Sequence, residues 1–348
     1  MNKFLLIILF ALCNIMFSQS AFYNAGNIEI HDGGQIGFHT DLENNGKFDG
    51  KKGLAGFYNK TNSLFIYGSE EVTFFKMQVD VQNDLELFTT VKIADTLSFI
   101  NGKINTPRND NSVNLSFIKK AIYYGEANNK YINGYATVRT GSAFVFPVGD
   151  NDRLRTVSID NNLASQEFKA AYFFEDANFS TSLNKTFNTD SKQNSISNIS
   201  TDEFWDVKGK SPVNITLTWD KYSDIGKLTN SINNLIIVGW NKASNEWENL
   251  GKVEVDGDLL SGSIKSTTIF PDDYEIFTIA SGADIHNSIN NIENLAVIQI
   301  RLFDITRRLI RTFTSGEEIN FTGMAKGVYV ADFYLSNGSR YSKKILNK

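Results

Sequence analysis

The chain has 348 residues, of which 41% are hydrophobic, and 34 Lys and Arg stand against 39 Asp and Glu, a net charge of −5. The length permits two or three domains, and the acidic balance argues against nucleic acid as the main partner. The 27 Phe, 13 Tyr and 25 Gly, with recurrent Asn-Gly and Asp-Gly pairs, are typical of strands joined by turns. The composition therefore predicts an all-β protein.

The first 20 residues have the pattern of a secretory signal peptide. A basic start precedes the apolar run Phe4–Phe17, which is shorter than the ~20 residues of a membrane-spanning helix. Small residues stand before Ala21, so we expect loss of Met1–Ser20, leaving 33 basic and 39 acidic residues and a net charge of −6. Cys13 follows a bulky leucine, which favours simple cleavage over lipid attachment. Cleavage removes the only cysteine and with it thiol, disulfide and cysteine–metal chemistry.

Residues 21–133 predict a region of short strands. Apolar clusters such as Leu64–Tyr67 and Leu85–Leu87 alternate with Asn, Gly and Asp turns. This pattern fits either a few turns of a β-solenoid or a compact sandwich, and no fixed period decides between them. The sequence from Phe22–Gly26 to Ile100–Thr106 resembles the solenoid-like N-terminal regions of bacteroidete surface proteins. This resemblance implies the solenoid.

Residues 134–282 predict a central β-sandwich domain. Ile215–Trp219 and Leu235–Trp240 have the composition of core strands. Asn178–Thr201 is polar and lacks apolar periodicity, so we expect a long loop or an internal boundary there.

Four Trp residues lie within the predicted sandwich, at Trp205, Trp219, Trp240 and Trp247. They fit either a sandwich core or a carbohydrate-stacking platform, and the core is the more frequent role of such residues. Trp247 stands between polar residues and is expected to be partly exposed.

Catalytic residue types are scarce. The three histidines are His31, His39 and His286, and no zinc-protease, serine-hydrolase or phosphate-binding motif is present. His31 and His39 would share one side of an extended strand as a zinc pair, but Gly33-Gly34 interrupts that strand. Carboxylates are abundant without forming a recognisable pair, which leaves a glycosidase open but unsupported. We expect no catalytic residues, no metal and no cofactor.

One stretch has the spacing of a calcium loop. Asp41–Asp49 places oxygen ligands at positions one, three, five and nine, with glycine at position six. Position twelve is Lys52, where a calcium loop has a bidentate Glu. The two alternatives are a calcium site and an Asn/Gly hairpin turn, and the mismatch favours the turn.

The C-terminal part predicts a linker at 283–294 and a small β-sandwich of about five to seven strands at 295–348. Its strand candidates include Val297–Phe303 and Leu309–Thr314, with a return at Ile319–Phe321 and a terminal hairpin. From residue 296 onward there are nine Lys/Arg and four Asp/Glu, a net charge of +5, so the rest of the mature chain carries −11. This asymmetry suggests that the terminal domain meets a different partner, although basic residues also protect edge strands.

The terminal hairpin carries a resemblance to a known family. Gly327, Tyr329, the turn pair Asn337-Gly338 and the final Lys343–Ile345 occur in an order similar to the C-terminal sorting domain of type IX secretion cargo. The resemblance covers Leu295–Lys348. It implies an exported protein at the cell surface or outer membrane, held by an outer-membrane β-barrel protein of the type IX secretion or gliding apparatus. A large surface adhesin is a further candidate partner.

The resemblance also implies roles for single residues. Gly327 would permit close backbone approach or a strained turn, and Tyr329 would pack in the core or at the contact face. Lys343 and Lys344 would complement an acidic receptor surface, and Ile345 would anchor the final strand.

Three functions follow from these observations. The first is a non-enzymatic accessory or structural subunit of a secretion or gliding-adhesin complex. The alternative is a secreted carbohydrate-binding or adhesion module, which the Trp cluster supports. A secreted hydrolase rests only on the abundance of carboxylates.

Overall fold

The computed structural model describes residues 21–118, 120–160, 166–282, 297–306, 308–314, 317, 319–335 and 340–347. The protein is all-β, with 55% strand and 4% helix, as predicted. It divides into two compact units, one ending at Gly282 and one beginning at Ala283. The signal peptide predicted at 1–20 and the linker predicted at 283–294 lie outside the described residues.

The N-terminal region is a β-solenoid of about six turns, which decides between the two alternatives. In chain order its strands are β1 (Ala21–Asn24), β2 (Asn27–Glu29), β3 (Gln35–Phe38), β4 (Asp41–Asn44), β5 (Lys47–Asp49), β6 (Leu54–Asn59), β7 (Leu64–Tyr67), β8 (Val72–Val81), β9 (Leu85–Leu87), β10 (Val91–Asn101), β11 (Ile104–Asn105), β12 (Leu115–Phe117), β13 (Ile122–Tyr124), β14 (Ile132–Asn133) and β15 (Ala136–Thr140). Equivalent strands of successive turns pair in parallel, giving one sheet β1-β4-β7-β9-β11-β14 and another that includes β3-β6-β8-β10-β12-β15.

The solenoid turns differ in length. Paired residues are 19 apart between Gln35 and Leu54 but 28 apart between Ile104 and Ile132. Side chains that point inward stack on one another from turn to turn and form a single apolar core. The varying loop lengths conceal this repeat in the sequence.

The second solenoid sheet continues into the central region and changes direction there. β15 pairs in parallel with β12 and antiparallel with β20 (Gln166–Phe173). The sheet then continues through β22 (Phe204–Gly209), β28 (Tyr274–Gly282), β24 (Leu235–Asn241) and β25 (Glu246–Asn249), with β21 (Ile196–Ile199) beside β28. The change from parallel to antiparallel pairing occurs close to residue 134, where the sequence placed a domain boundary.

A second sheet completes the central sandwich. It consists of β16 (Phe144–Phe146), β19 (Val157–Ile159), β23 (Ile215–Trp219), β27 (Gly262–Lys265) and β26 (Glu254–Gly257). The remaining elements are β17 (Gly149–Asp150), β18 (Arg153–Leu154), the helix α1 (Ile225–Leu228) and 3-10 turns at Ala177–Phe179, Ile232–Asn234 and Pro271–Asp273. Apolar residues of both sheets belong to the same core as the solenoid interior, so residues 21–282 form one unit.

All four Trp side chains are buried, as the core interpretation predicted. The expected partial exposure of Trp247 is wrong, since this residue is 0% exposed. The polar stretch 178–201 covers it: Trp247 Nε1 donates to the carbonyl of Phe187 at 3.3 Å, and its backbone N–H donates to the carbonyl of Ser191. The stretch is therefore a packed cover that contains buried Phe187 and strand β21, and not a free loop.

The C-terminal unit contains β29 (Val297–Phe303), β30 (Leu309–Thr314), β31 (Gly327–Leu335) and β32 (Arg340–Asn347). They form one antiparallel sheet in the order β30-β29-β31-β32. The described residues thus give four strands in one sheet, where five to seven in a sandwich were expected. Ile319 and Phe321 form no strand and instead pack on one face of the sheet, in the place of a second sheet.

Candidate functional site

The candidate partner-binding residues lie on the hairpin of β31 and β32, where the sequence placed it. Tyr329 pairs with Ile345 and Gly327 pairs with Asn347. The predicted turn at Asn337-Gly338 lies outside the described residues. The hairpin brings all five predicted residues onto two adjacent strands, but their side chains take different directions.

Tyr329 and Ile345 belong to the core of the C-terminal unit. Tyr329 is buried, its ring centre lies 5.7 Å from that of Phe321, and its Oη donates to the carbonyl of Ala325 at 2.7 Å. Ile345 is half-buried and packs against the same cluster. Of the two positions expected for Tyr329, the structure shows the core. Both residues therefore stabilise the sheet from its core side.

Gly327 begins β31 with a φ of +154°, and a Cβ added there would meet no atom within 4 Å. Backbone of this conformation favours glycine because it has no side chain to clash with its own main chain. Of the two reasons expected for this glycine, the structure supports an unusual backbone conformation and not close backbone approach.

Lys343 and Lys344 are both exposed but project from opposite faces of β32, because neighbouring residues in a strand alternate. Lys343 is paired with Ala331 on the core side, and Lys344 is paired with Val330 on the other side. The two ammonium groups therefore do not form one cationic patch. Only Lys344 belongs to the face directed away from the core.

That face carries a surface that the sequence analysis missed, which we name the outer strip. Its members are Phe303, Leu309, Val328, Val330 and Leu346. Leu309, Val328 and Leu346 are exposed, and Phe303 and Val330 are half-buried. Val328 pairs with Leu346 next to Lys344 in β32, the last strand in the sheet order. The uninterrupted apolar run Val328-Tyr329-Val330 was the signal for a strand with two apolar faces, because successive residues of a strand point to opposite sides.

Metal-binding geometry is absent from the described residues, in which no group of three or more His, Cys, Asp or Glu could hold an ion. His31 Nδ1 lies 3.8 Å from Glu29 Oε1, and the His39 ring lies 5.6 Å from that of Tyr58, at the ends of different strands. His286 lies outside the described residues.

The calcium-like stretch forms a corner of the solenoid instead of a hairpin turn. Asp41 lies in β4 and its Oδ1 accepts from the backbone N–H of Phe65, whereas Asp49 lies in β5 and pairs with Lys51. Between them, Asn44 is buried and its side chain accepts from Asn24 Nδ2 at 2.7 Å. The two strands continue along successive sides of the solenoid and do not pair with each other.

An open cavity of about 380 Å³ on the central region is lined by four cationic side chains, Arg139, Lys169, Lys208 and Lys210. Lys169 Nζ donates to the carbonyl of Asn111 at 3.1 Å. Lys208 Nζ lies 2.7 Å from Asp206 Oδ1 and donates to the carbonyl of Glu275 at 2.8 Å. Arg139 Nη2 lies 3.9 Å from Oε2 of Glu167, which also lines the cavity. Three of the four cations thus have partners within the protein, which makes the cavity a poor site for an anionic cofactor.

Within the described part of the chain, no helix has the length and apolar character needed to cross a membrane. No family model, curated protein or solved structure matches the chain.

Proposed function

We propose that the chain is a non-enzymatic, exported surface protein and an accessory or structural subunit of an outer-membrane type IX secretion or gliding-adhesin complex. In this proposal the C-terminal unit docks onto an outer-membrane β-barrel partner, and residues 21–282 are displayed. The observation that carries the proposal is the terminal sheet, which is a unit of its own with an exposed outer strip beside its last strand.

Two physical features suit this sheet to docking. The last strand of a sheet presents unpaired backbone groups, which are a template for strand addition. The outer strip adds exposed apolar surface next to that edge, at Val328 and Leu346. Burial of both against a partner would combine main-chain hydrogen bonds with apolar contact.

The distribution of charge along the chain also supports docking through the C-terminal unit. The chain from residue 296 onward carries a net charge of +5, and the remainder of the mature chain carries −11. A basic unit is attracted to an acidic receptor surface, and such complementarity raises the association rate and fixes orientation. Lys344 is the hairpin lysine that would meet this receptor beside the outer strip.

The carbohydrate-binding alternative loses its original support, because the four Trp side chains are in the core and offer no stacking platform. A carbohydrate function therefore needs a different surface.

The test compares two faces of one strand. Lys344→Glu combined with Leu346→Ser changes the outer strip without touching the core, and Lys343→Glu on the core side is the matched control. We expect the double variant to accumulate in the periplasm and the control to reach the cell surface, measured by protease accessibility on intact cells. These substitutions are sharper than deletion of 341–348, which would remove β32 and uncover Tyr329.

A fusion supplies the complementary result. Residues 295–348 attached to a periplasmic reporter should carry it to the cell surface or into a barrel complex. Surface display of the Lys344→Glu, Leu346→Ser variant at the normal level, together with a fusion that stays periplasmic, would refute the docking proposal.

A further inference from the structure

The outer face of the sheet β1-β4-β7-β9-β11-β14 carries two rows of side chains along the solenoid axis, which we name the aromatic face. The first row is Ala21, Asp41, Phe65, Glu86, Asn105 and Asn133, and the second is Tyr23, Glu43, Tyr67 and Phe88. The rows follow from the in-register parallel pairing, in which residues at equivalent positions stack above one another. Successive members of a row are about 4.8 Å apart, the spacing of paired strands.

Two of the four aromatic rings of this face are open to solvent, and Phe65 and Tyr67 are half-buried. Tyr23 is 54% exposed and Phe88 is 59% exposed. The rings of Phe65 and Phe88 have their centres 6.1 Å apart and their planes only 21° apart, so they are nearly parallel. Large exposed apolar side chains clustered on one face mark a binding surface more often than singly scattered ones.

Carboxylates lie between the rings, and the protein holds them in place. Asp41 Oδ1 accepts from the backbone N–H of Phe65 at 3.0 Å, and Glu86 Oε1 accepts from Asn105 Nδ2 at 2.5 Å. Glu43 Oε1 accepts from an asparagine side chain at 2.8 Å. Among the residues that the structure describes, no Lys or Arg forms an ion pair with these three carboxylates.

We propose that the aromatic face binds an extended, neutral polysaccharide chain that lies along the solenoid axis. The C–H faces of sugar rings would stack on Tyr23, Phe65 and Phe88, and sugar hydroxyls would donate to the carboxylates between them. A carboxylate accepts such hydrogen bonds at up to four lone-pair positions, so one bond to the protein leaves others for a ligand.

Three arguments select this occupant. The spacing of the solenoid turns is close to the length of one unit in an extended β-linked sugar chain, so successive sugars would meet equivalent positions. The uncompensated charge of Asp41, Glu43 and Glu86 repels an acidic polysaccharide. A protein strand would seek the unpaired backbone groups of a sheet edge, which the face of a sheet does not offer.

The experiment uses the full mature protein and titration calorimetry, with cellohexaose and mannohexaose as neutral probes and an oligogalacturonate as the acidic probe. We expect a neutral probe to bind, and Phe88→Ala to weaken its binding about tenfold, the equivalent of one lost aromatic contact. Phe88→Tyr keeps a ring and should retain binding within about threefold.

Tyr124→Ala is the matched control, because Tyr124 is 55% exposed but lies on β13, which pairs with the other solenoid sheet. It should leave the affinity unchanged. The proposal is overturned if neither neutral probe binds the wild-type protein, if the oligogalacturonate binds more tightly than both, or if Tyr124→Ala weakens binding as much as Phe88→Ala. Unchanged far-ultraviolet circular dichroism of Phe88→Ala excludes loss of fold as the cause of lost binding.

Discussion

Replacement of Arg155 by methionine should destabilise the larger unit strongly, because Arg155 is a charged residue within its core. Its side chain is 3% exposed, and Nε lies 3.2 Å from Oε2 of Glu203, which is 1% exposed. Nη2 lies 2.7 Å from Asp220 Oδ1, and Tyr172 Oη donates to Glu203 at 2.5 Å. Removal of the guanidinium leaves the Glu203 carboxylate without its cation in a site that excludes water.

Breaking a buried ion pair in this way costs about 3–5 kcal/mol. The loss should depend on pH. Burial raises the pKa of Glu203 and Arg155 opposes that shift, so Arg155→Met raises the pKa further. A carboxyl group with a higher pKa in the folded state favours folding when protonated. The loss of stability should therefore be smaller at pH 5 than at pH 8.

Loss of the contact between Arg155 and Asp220 should give the same pH dependence, with a larger loss of stability at pH 8 than at low pH. Partial burial alone would raise the pKa of Asp220, but hydrogen bonds from Arg155 and from the backbone of Tyr222 bring it below the usual value. This lowered pKa stabilises the folded protein above the ordinary pKa of aspartate. Arg155→Met removes part of that stabilisation at pH 8 and less of it at low pH.

The assay is a urea titration in which unfolding is monitored by Trp fluorescence. This signal reports on the larger unit alone, because all four Trp lie within residues 21–282. Arg139→Met is the matched control: Arg139 and Glu167 are 3.9 Å apart and exposed, so its loss should cost less than about 1 kcal/mol. Arg155→Met with Glu203→Gln should cost at least about 1 kcal/mol less than the sum of the two single changes. A loss below about 1 kcal/mol for Arg155→Met, or additive single changes, would refute this reasoning.

Three further predictions test the remaining parts of the structure. Gly68→Ala should destabilise the solenoid by more than about 1 kcal/mol, because φ is +131° and the new Cβ would lie 2.1 Å from the carbonyl oxygen of Asn44. In the control Gly26→Ala the new Cβ would have no atom within 4 Å, so thermal stability should change little. Asn44→Ala should cost about 1–3 kcal/mol because it removes the 2.7 Å hydrogen bond from the buried Asn24 amide and the bond from Asn44 to the carbonyl of Glu70. Asn62→Ala at the surface should be neutral in the same urea titration. Tyr329→Phe should cost about 1 kcal/mol through loss of the hydrogen bond to Ala325, and equal hydrogen-exchange protection of β31 in both proteins would contradict this.

The strands themselves could be predicted because they follow from local alternation. Leu64–Tyr67 and Leu85–Leu87 alternate buried and outward residues in the structure, as period two requires. Their stacking into a solenoid could not be derived from a repeat, because loops of different length separate the turns. The conformation of Asp41–Asp49 could not be predicted for the same reason. Its residue spacing fits a calcium loop, but its conformation is set by pairing with strands of the neighbouring solenoid turns.

Burial in the central region depends on contacts between distant parts of the chain. Trp247 has polar neighbours in sequence, and Phe187, about 60 residues earlier, covers it. Arg155 would be expected at the surface as a charged residue, yet strand β22 and its neighbours bring Glu203 and Tyr172 to it. The opposite directions of Lys343 and Lys344 could have been predicted, because residues that are adjacent on a strand face opposite sides.

The two proposed surfaces belong to different units, and this makes their tests independent. The aromatic face lies within residues 21–282 and the outer strip lies on the C-terminal unit. Phe88→Ala should therefore lose oligosaccharide binding and still reach the cell surface, whereas Lys344→Glu with Leu346→Ser should bind the oligosaccharide normally in purified form and remain in the periplasm. A single variant that loses both properties, with both units folded, would show that export and binding share one surface and would contradict this division.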